Sequence, residues 1–397
     1  MRNTCWVLVV LCTTLNLNAQ QLLGPDGFYY HADGTLGENP VITGLPFLDF
    51  ETNAANNGVA SISVVAPESS PQNSFSQNPA LPGRGLSQWD TRLDYVPWLR
   101  NISQGSPFLL DGGVIHALGK QHTAGLRIRY FDLEGNQRDA QAPYLKYQLS
   151  ISGNYAYQIS KKFSIGTGVK YFYSALGNVS SGFALKPASG LAFDLGGHFQ
   201  TQKELNASNT LHWNVGMAIT NIGSKISYVK NNDEKLDYLP AALKIGTLIA
   251  WKKLLKNDRS LDVNFSYQAS KFLVPSPGSN ADKNNNGITD YQEYTVPESM
   301  IHSFSDALGG SKEEWWEVTH RFGLESWMQW NDRLKTAIRG GYCYQHPYKG
   351  GLEYGTLGLT GQYRRVYLDL AYIYSIGHGA EALDGTWVVG IGCRKDL

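Results

Sequence analysis

The stretch Leu211–Thr220, which reads LHWNVGMAIT, decides the fold of this chain. Its odd positions carry Leu, Trp, Val, Met and Ile, and its even positions carry His, Asn, Gly, Ala and Thr. Because successive side chains of a β-strand point to opposite faces, this alternation predicts a strand with one apolar and one polar or small face. The apolar face carries no charge, as a surface in contact with lipid requires.

The same alternation recurs in Ala124–Tyr130, Leu145–Ser160 and Val366–Ile376. Such segments run to about 10–15 residues, whereas strands of soluble proteins average about 5–6 residues. A tilted transmembrane strand needs about 9–11 residues. Since every backbone group must be paired within lipid, strands of this kind have to close into a barrel.

About fourteen segments fit the pattern, an even number as in bacterial single-chain barrels. They are 88–100, 107–118, 122–133, 143–159, 162–175, 188–201, 208–220, 241–253, 260–273, 314–330, 333–346, 352–363, 365–376 and 384–394. Short connections at 119–121, 160–161, 331–332 and 364 alternate with longer ones at 134–142, 176–187, 221–240, 274–313 and 377–383. We therefore predict an all-β transmembrane antiparallel barrel over 88–397, with the long loop 274–313 extracellular.

The composition supports this class of protein. Charged residues make up 17% of the chain, aromatic residues 12%, and there are 42 glycines, whereas soluble domains carry about 25% charged residues. The net charge is zero, which gives no indication of nucleic-acid binding. Residues 1–19 have the layout of a cleavable secretory signal, with a cut expected after Ala19. Together these features predict an outer-membrane location.

Residues 20–87 do not follow the strand pattern. They are rich in Asn, Ser, Pro and Gly, with a short apolar stretch at Val59–Val65. We interpret them as a periplasmic or lumen-plugging segment, and a loosely ordered leader is the alternative. In the predicted barrel Cys343 belongs to the lumen face and Cys393 to the lipid face, so we expect two free cysteines, because side chains on opposite faces cannot meet.

The longest loop contains a calcium-loop pattern. Residues 282–293 read DKNNNGITDYQE and match D-x-[DN]-x-[DN]-G-x₅-E at every defined position. Calcium prefers oxygen ligands from alternate positions, with a glycine at the sharp turn. The expected ligands are Asp282, Asn284, Asn286, Ile288 through its carbonyl, Asp290 and Glu293. An Asn-rich flexible turn is the alternative, and in either case the role would be structural.

Nothing in the sequence indicates an enzyme, and we name no catalytic residue. The Gly-x-Gly patterns lie inside predicted strands, where glycines ease strand curvature. His116, His198 and His212 lie on predicted strands, and we expect them to be polar residues of the lumen. Glu313 and Glu314, with the tryptophans beside them, are more typical of an aromatic girdle with solvated charges than of carboxylate catalysis.

Several short stretches, in order along the chain, resemble the PorV family of the Bacteroidetes type IX secretion system, within the larger group of barrels similar to the fatty-acid transporter FadL. These stretches are Asn78-Pro79-Ala80, Tyr95–Arg100, Asn221–Tyr228, Leu239-Pro240-Ala241, Leu273–Pro277 and Ser303–Glu314. The likeness extends over most of residues 58–394.

The resemblance implies a non-enzymatic outer-membrane barrel that serves protein export. Proteins of this family receive cargo with a C-terminal secretion domain from a large translocon barrel (SprA/Sov-like) and deliver it to the attachment complex with the PorU-like sortase. Lipid or lipopolysaccharide is the other expected partner. The resemblance directs attention to the long loop, where the expected cargo-binding residues are Phe304, Ser305, Asp306, Gly309, Gly310, Glu313 and Glu314.

Two alternatives remain open from the sequence. One is a FadL-like transporter of hydrophobic small molecules, which the polar character of the predicted lumen residues disfavours. The other is a PorQ-type paralogue of the attachment complex.

Overall fold

The computed structural model describes residues 21–67, 77–84, 87–98, 105–135, 146–177, 179–180, 183–229, 237–278, 285 and 288–396. The predicted signal peptide lies outside these residues. Within the described part, no helix has the length and apolar character needed to cross a membrane.

A closed antiparallel barrel of fourteen strands forms the body of the molecule. The strands are β1 (Ser87–Pro97), β2 (Phe108–Ala117), β3 (His122–Asp132), β4 (Tyr147–Gln158), β5 (Phe163–Ala175), β6 (Ala188–Asn206), β7 (Asn209–Gly223), β8 (Ala242–Leu254), β9 (Ser260–Phe272), β10 (Thr319–Gln329), β11 (Leu334–Tyr344), β12 (Glu353–Tyr363), β13 (Val366–Ser375) and β14 (Thr386–Asp396). Each strand pairs with the next, and β14 pairs with β1 through Val389 and Tyr95. The predicted fold class is therefore confirmed.

The alternation in the sequence becomes an apolar exterior and a polar interior. On β7 the side chains of Trp213 and Met217 are each 47% exposed, whereas His212 and Asn214 between them are buried. The barrel thus presents its apolar residues outward, as contact with lipid requires.

The two ends of the barrel differ in the length of their connections. One end, here called the short-turn end, carries the connections 118–121, 159–162, 207–208, 255–259, 330–333 and 364–365. The opposite end carries the connections 98–107, 133–146, 176–187, 224–241, 273–318, 345–352 and 376–385. By the rule for outer-membrane barrels the short-turn end faces the periplasm.

Two predictions about local structure were wrong. The predicted strand 314–330 begins only at Thr319, because Gly310–Trp316 form a helix. His116 is exposed on the outer face of β2 and does not face the lumen. The inner face of β2 carries the buried apolar residues Leu109 and Ile115. Both faces of this strand are therefore partly apolar, so its sequence lacks a clear apolar–polar alternation.

The N-terminal segment, defined here as the described residues of 21–84, packs against the inner face of the barrel. Its short helix α1 (Ala54–Asn57) is buried throughout. Just before it, the Thr52 hydroxyl donates to the Asp111 carboxylate (2.6 Å). Asp111 also forms ion pairs with Arg127 and Arg129 of β3. These contacts fix the segment to the wall through β2 and β3.

Further contacts hold the N-terminal segment to the opposite side of the lumen. Lys244 of β8 pairs with Asp49 at 2.6 Å, and the Gln268 side-chain oxygen of β9 accepts the N–H groups of residues 63 and 64. Gly216 faces the carbonyl of Val64 so closely that a Cβ would collide with it. Here glycine is required for backbone approach.

Cys343 and Cys393 are free, as predicted. Cys343 is buried on the inner face of β11, whereas Cys393 is partly exposed on the outer face of β14.

Candidate partner-binding rim

The end opposite the short turns carries most of the residues that the sequence singled out. We call it the rim and define it by loop 273–318, residues 21–48 and loop 345–352. The described part of the first loop contains three helices: α2 (Asp290–Glu293), α3 (Val296–His302) and α4 (Gly310–Trp316). A capping box between Thr295 and Glu298 starts α3, because it satisfies the free N–H groups of the first turn.

A buried group of ion pairs anchors α4, so the expectation of solvated carboxylates beside the tryptophans was wrong. The Glu313 carboxylate is fully buried, pairs with Lys349 at 2.5 Å and accepts a hydrogen bond from the Asn39 side chain (2.9 Å). Lys349 also pairs with Glu317 at 2.9 Å. The Glu313 carboxylate thus connects α4 with the N-terminal segment and with loop 345–352.

A second lysine strengthens the same anchor from the barrel wall. Lys271 of β9 pairs with Glu314 at 3.0 Å and makes a close ion pair with Glu317. The other Glu314 oxygen accepts the backbone N–H of Ala307 (2.9 Å). Removing one member of such a buried network leaves its partner without compensation, which is costly.

Aromatic packing completes the attachment of α4. Trp316 stacks on His346 with ring centres 3.8 Å apart, and Phe28 lies 5.1 Å from Trp316. A Cβ on Gly309 would collide with the Phe28 ring. The N–H of Gly309 donates to Glu313 (2.7 Å). Glycine at this position lets the N-terminal segment pack directly against the start of α4.

Asp306 is a partly buried rim residue whose carboxyl pKa is shifted upward. One of its carboxylate oxygens accepts the backbone N–H of Ser276 (3.1 Å). The other has no hydrogen-bond partner among the described residues. Burial, together with the nearby carboxylates of Glu314 and Glu317, raises the pKa of Asp306 to about 7.

The structure divides the seven predicted cargo-binding residues into two groups. Asp306, Gly309, Glu313 and Glu314 face into the rim and hold it together. Phe304 is 52% exposed, and Ser305 and Gly310 are exposed as well. The anchoring residues therefore shape the rim, and the exposed ones are available to a partner.

Sequence reasoning missed three exposed apolar residues of the same loop. Trp315 is 66% exposed and Ile301 is 73% exposed, and Leu308 is also exposed. Trp315 lies next to His320 on the outer face of β10, with ring centres 5.4 Å apart. Large apolar residues between charged ones, in a loop outside the barrel strands, are a signal that could have identified them.

The calcium prediction falls largely outside the described residues. Asp282, Asn284 and Asn286 are not described, whereas Ile288, Asp290 and Glu293 are, the last two at the ends of α2. Within the described part of the chain, no cluster of three or more His, Cys, Asp or Glu could hold a metal ion. Calcium binding stays a prediction from the sequence.

The closed barrel, its apolar exterior and the alternation of short and long connections define an outer-membrane β-barrel protein. The family model described as "Type IX secretion system protein PorV" matches residues 35–279. The match spans more than half of the chain, so the protein belongs to the PorV family, as the sequence resemblance predicted.

The chain also has distant similarity to solved structures of transporter barrels. The toluene transporter TbuX of Ralstonia pickettii is 11% identical, with 87% of this chain and 98% of that chain covered and a TM-score of 0.39. A FadL homologue of Pseudomonas aeruginosa is 12% identical, with 91% and 97% covered and a TM-score of 0.43. Comparison with curated protein sequences finds no match.

Proposed function

We propose that this protein is a non-enzymatic shuttle of the type IX secretion system. It binds secreted cargo, which carries a C-terminal secretion domain, at the rim. It then passes the cargo from the large translocon barrel to the attachment complex with its PorU-like sortase. Membership of the PorV family supports the assignment to this secretion system.

The observation that carries the proposal is the contrast between a fixed frame and an exposed apolar surface on the same loop. Buried ion pairs hold α4 in place, while Phe304 and Trp315 remain exposed. Aromatic residues on a rigid support are typical of the few contacts that dominate the free energy of protein–protein binding. Because the support is preformed, binding costs little conformational entropy.

The interior of the barrel favours a cargo shuttle over a transporter of hydrophobic small molecules. Such a transporter needs a continuous apolar route through the lumen. Here the N-terminal segment occupies the interior and contacts charged inner-face residues such as Asp111 and Lys244. A PorQ-type paralogue is expected to have the same fold. Its partner proteins must therefore distinguish it from the shuttle.

The test is an affinity purification of the tagged full-length protein from detergent-solubilised outer membranes, followed by mass spectrometry. The shuttle predicts recovery of a very large barrel, a sortase-like protease and proteins that share a C-terminal domain. Recovery of the protease and attachment proteins without cargo or translocon would favour the paralogue. A barrel carrying only lipid would favour the transporter.

A further inference from the structure

The end of strand β6 projects from the barrel at the short-turn end. On the outer face, Phe199 of β6 and Trp213 of β7 have ring centres 6.1 Å apart, as in the aromatic girdle at the boundary of the lipid. Lys203 lies further along the same face of β6. Residues 202–206 are all exposed, although successive side chains of a strand point to opposite faces. Both faces of this strand end are therefore open to water, beyond the lipid.

One edge of the projecting strand end has no partner strand. Strand β6 pairs with β7 to its end, whereas its pairing with β5 stops at Phe199. The N–H of Gln200 donates to the Lys162 carbonyl (2.7 Å) in the turn between β4 and β5. The N–H groups of Gln202 and Glu204 point to the same side, because hydrogen-bonding directions repeat every second residue of a strand. No described strand pairs with this side of residues 201–206.

The surroundings of this free edge are basic. The neighbouring segments 159–162, 202–208 and 253–259 contain six cations, which are Lys161, Lys162, Lys203, Lys253, Lys256 and Arg259. The same segments contain two carboxylates, Glu204 and Asp258. None of the six cations forms an ion pair with a carboxylate of the described residues. Because the whole chain is neutral, the excess of positive charge is a local property of this part of the short-turn end.

An exposed strand edge can bind an extended peptide through main-chain hydrogen bonds, while side chains decide which peptide fits. Here the charge favours an acidic peptide. A second copy of this chain is disfavoured, because antiparallel pairing of two such edges would bring together lysines of like charge. A lipid surface is disfavoured as well, because residues 202–206 lie beyond the aromatic girdle and expose both faces.

We propose that the edge of β6 at residues 201–206 binds an acidic, extended segment of a periplasmic protein. The segment pairs with β6 as an added strand, and its carboxylates lie near Lys161, Lys162 and Lys203. The edge lies at the opposite end of the barrel from the rim. The proposal is therefore independent of cargo binding, and either can fail while the other stands.

The test measures binding of a fluorescein-labelled heptapeptide of alternating glutamate and valine to the purified full-length protein in detergent by fluorescence anisotropy. Saturable binding to the wild type is expected. The triple variant Lys161→Gln/Lys162→Gln/Lys203→Gln should bind at least tenfold more weakly. The matched control removes three exposed cations from other short turns and should keep its affinity within twofold; it is Lys120→Gln/Arg333→Gln/Arg365→Gln.

The main-chain contribution is tested separately from the charge. Gln202→Pro removes an N–H of the free edge that β7 does not use, so it should bind the peptide at least fivefold more weakly. Gln202→Ala keeps this N–H and should bind as the wild type does. A backbone N-methylated peptide of the same sequence keeps its charge but cannot pair as a strand, and should bind at least tenfold more weakly. Hydrogen exchange at residues 202 and 204 should slow when the unmethylated peptide is bound.

Three results would overturn the proposal. The first is the absence of saturable binding to the wild type. The second is equal binding of the methylated and unmethylated peptides, because charge alone would then attract the peptide. The third is an equal loss of affinity in the two triple variants, because the site would then not lie at the edge of β6.

Discussion

The protonation of Asp306 makes the stability of the folded rim depend on pH. Its pKa is raised to about 7 by burial and by Glu314 and Glu317. The folded rim therefore binds this proton more tightly than the unfolded loop, in which an aspartate has a pKa of about 3.9. The stabilisation that this proton contributes to the folded rim is complete below a pH of about 4. It is lost as the pH rises through about 7.

Replacing Asp306 by asparagine should remove this dependence. We expect local opening of residues 296–316, measured by hydrogen exchange corrected for intrinsic rates, to increase several-fold from pH 5 to pH 8 in the wild type. In Asp306→Asn it should stay nearly constant, because the amide imitates the protonated acid. Asp332→Asn, on an exposed turn at the short-turn end, is the control. Equal pH dependence in the wild type and Asp306→Asn would show that another group is responsible.

Calcium binding to residues 282–293 is a second prediction at the residue scale. The three charged ligands, Asp282, Asp290 and Glu293, favour a dissociation constant of about 10⁻⁴–10⁻³ M, the range of extracellular modules. Calorimetric titration of the full-length protein with calcium should show this binding, and Glu293→Gln should weaken it at least tenfold. If Glu293→Gln binds calcium as well as the wild type does, the loop is not the site. Asp332→Asn again serves as the control.

At the scale of an element, Lys349 holds α4 to the remainder of the rim. Lys349→Met leaves the buried carboxylates Glu313 and Glu317 without this cation, and breaking a buried pair costs about 3–5 kcal/mol. We expect residues 310–317 to exchange their amide hydrogens much faster. The double variant Lys349→Met/Glu313→Gln should recover part of the protection. Lys161→Met, on an exposed turn, should change nothing, and unchanged protection in Lys349→Met would contradict the account.

The contact between the N-terminal segment and β2 gives another prediction at this scale. Asp111→Asn removes the charge that compensates Arg127 and Arg129 and weakens the bond to Thr52. The cost of about 3–5 kcal/mol should loosen the segment from the wall. In planar lipid bilayers this variant should open to a conducting state more often than the wild type. Conductance equal to that of the wild type and of Asp332→Asn would argue against this role.

At the scale of the whole molecule, much of the fold could be predicted from the sequence. The alternation of side chains in a strand is a local property of the backbone. Odd and even positions therefore sufficed to predict the two faces of β7 and the placement of Cys343 and Cys393 on opposite faces of the barrel wall. His116 was placed wrongly because Leu109 and Ile115 on the inner face of β2 pack inside the barrel. When both faces of a strand carry apolar residues, the two-residue alternation on which the prediction is based is no longer visible in the sequence.

The rim could be predicted only in outline. Residues 314–318 were assigned to a strand, whereas Glu314–Trp316 lie in helix α4. This helix depends on partners far away in the sequence, among them Asn39, Lys271 and Lys349. The family motif directed attention to this loop. It could not separate exposed Phe304 from buried Glu313, because burial is set by these distant contacts.

The central claim is that cargo binds at the rim, and site-specific photo-crosslinking in living cells tests it most directly. A photoreactive amino acid at Phe304 or Trp315 should form adducts with secreted proteins through their C-terminal domains and with the translocon barrel. The same amino acid at Lys161 or Asn331, at the short-turn end, should not. Cargo adducts only from the short-turn end, or none from the rim while secretion proceeds normally, would contradict the account.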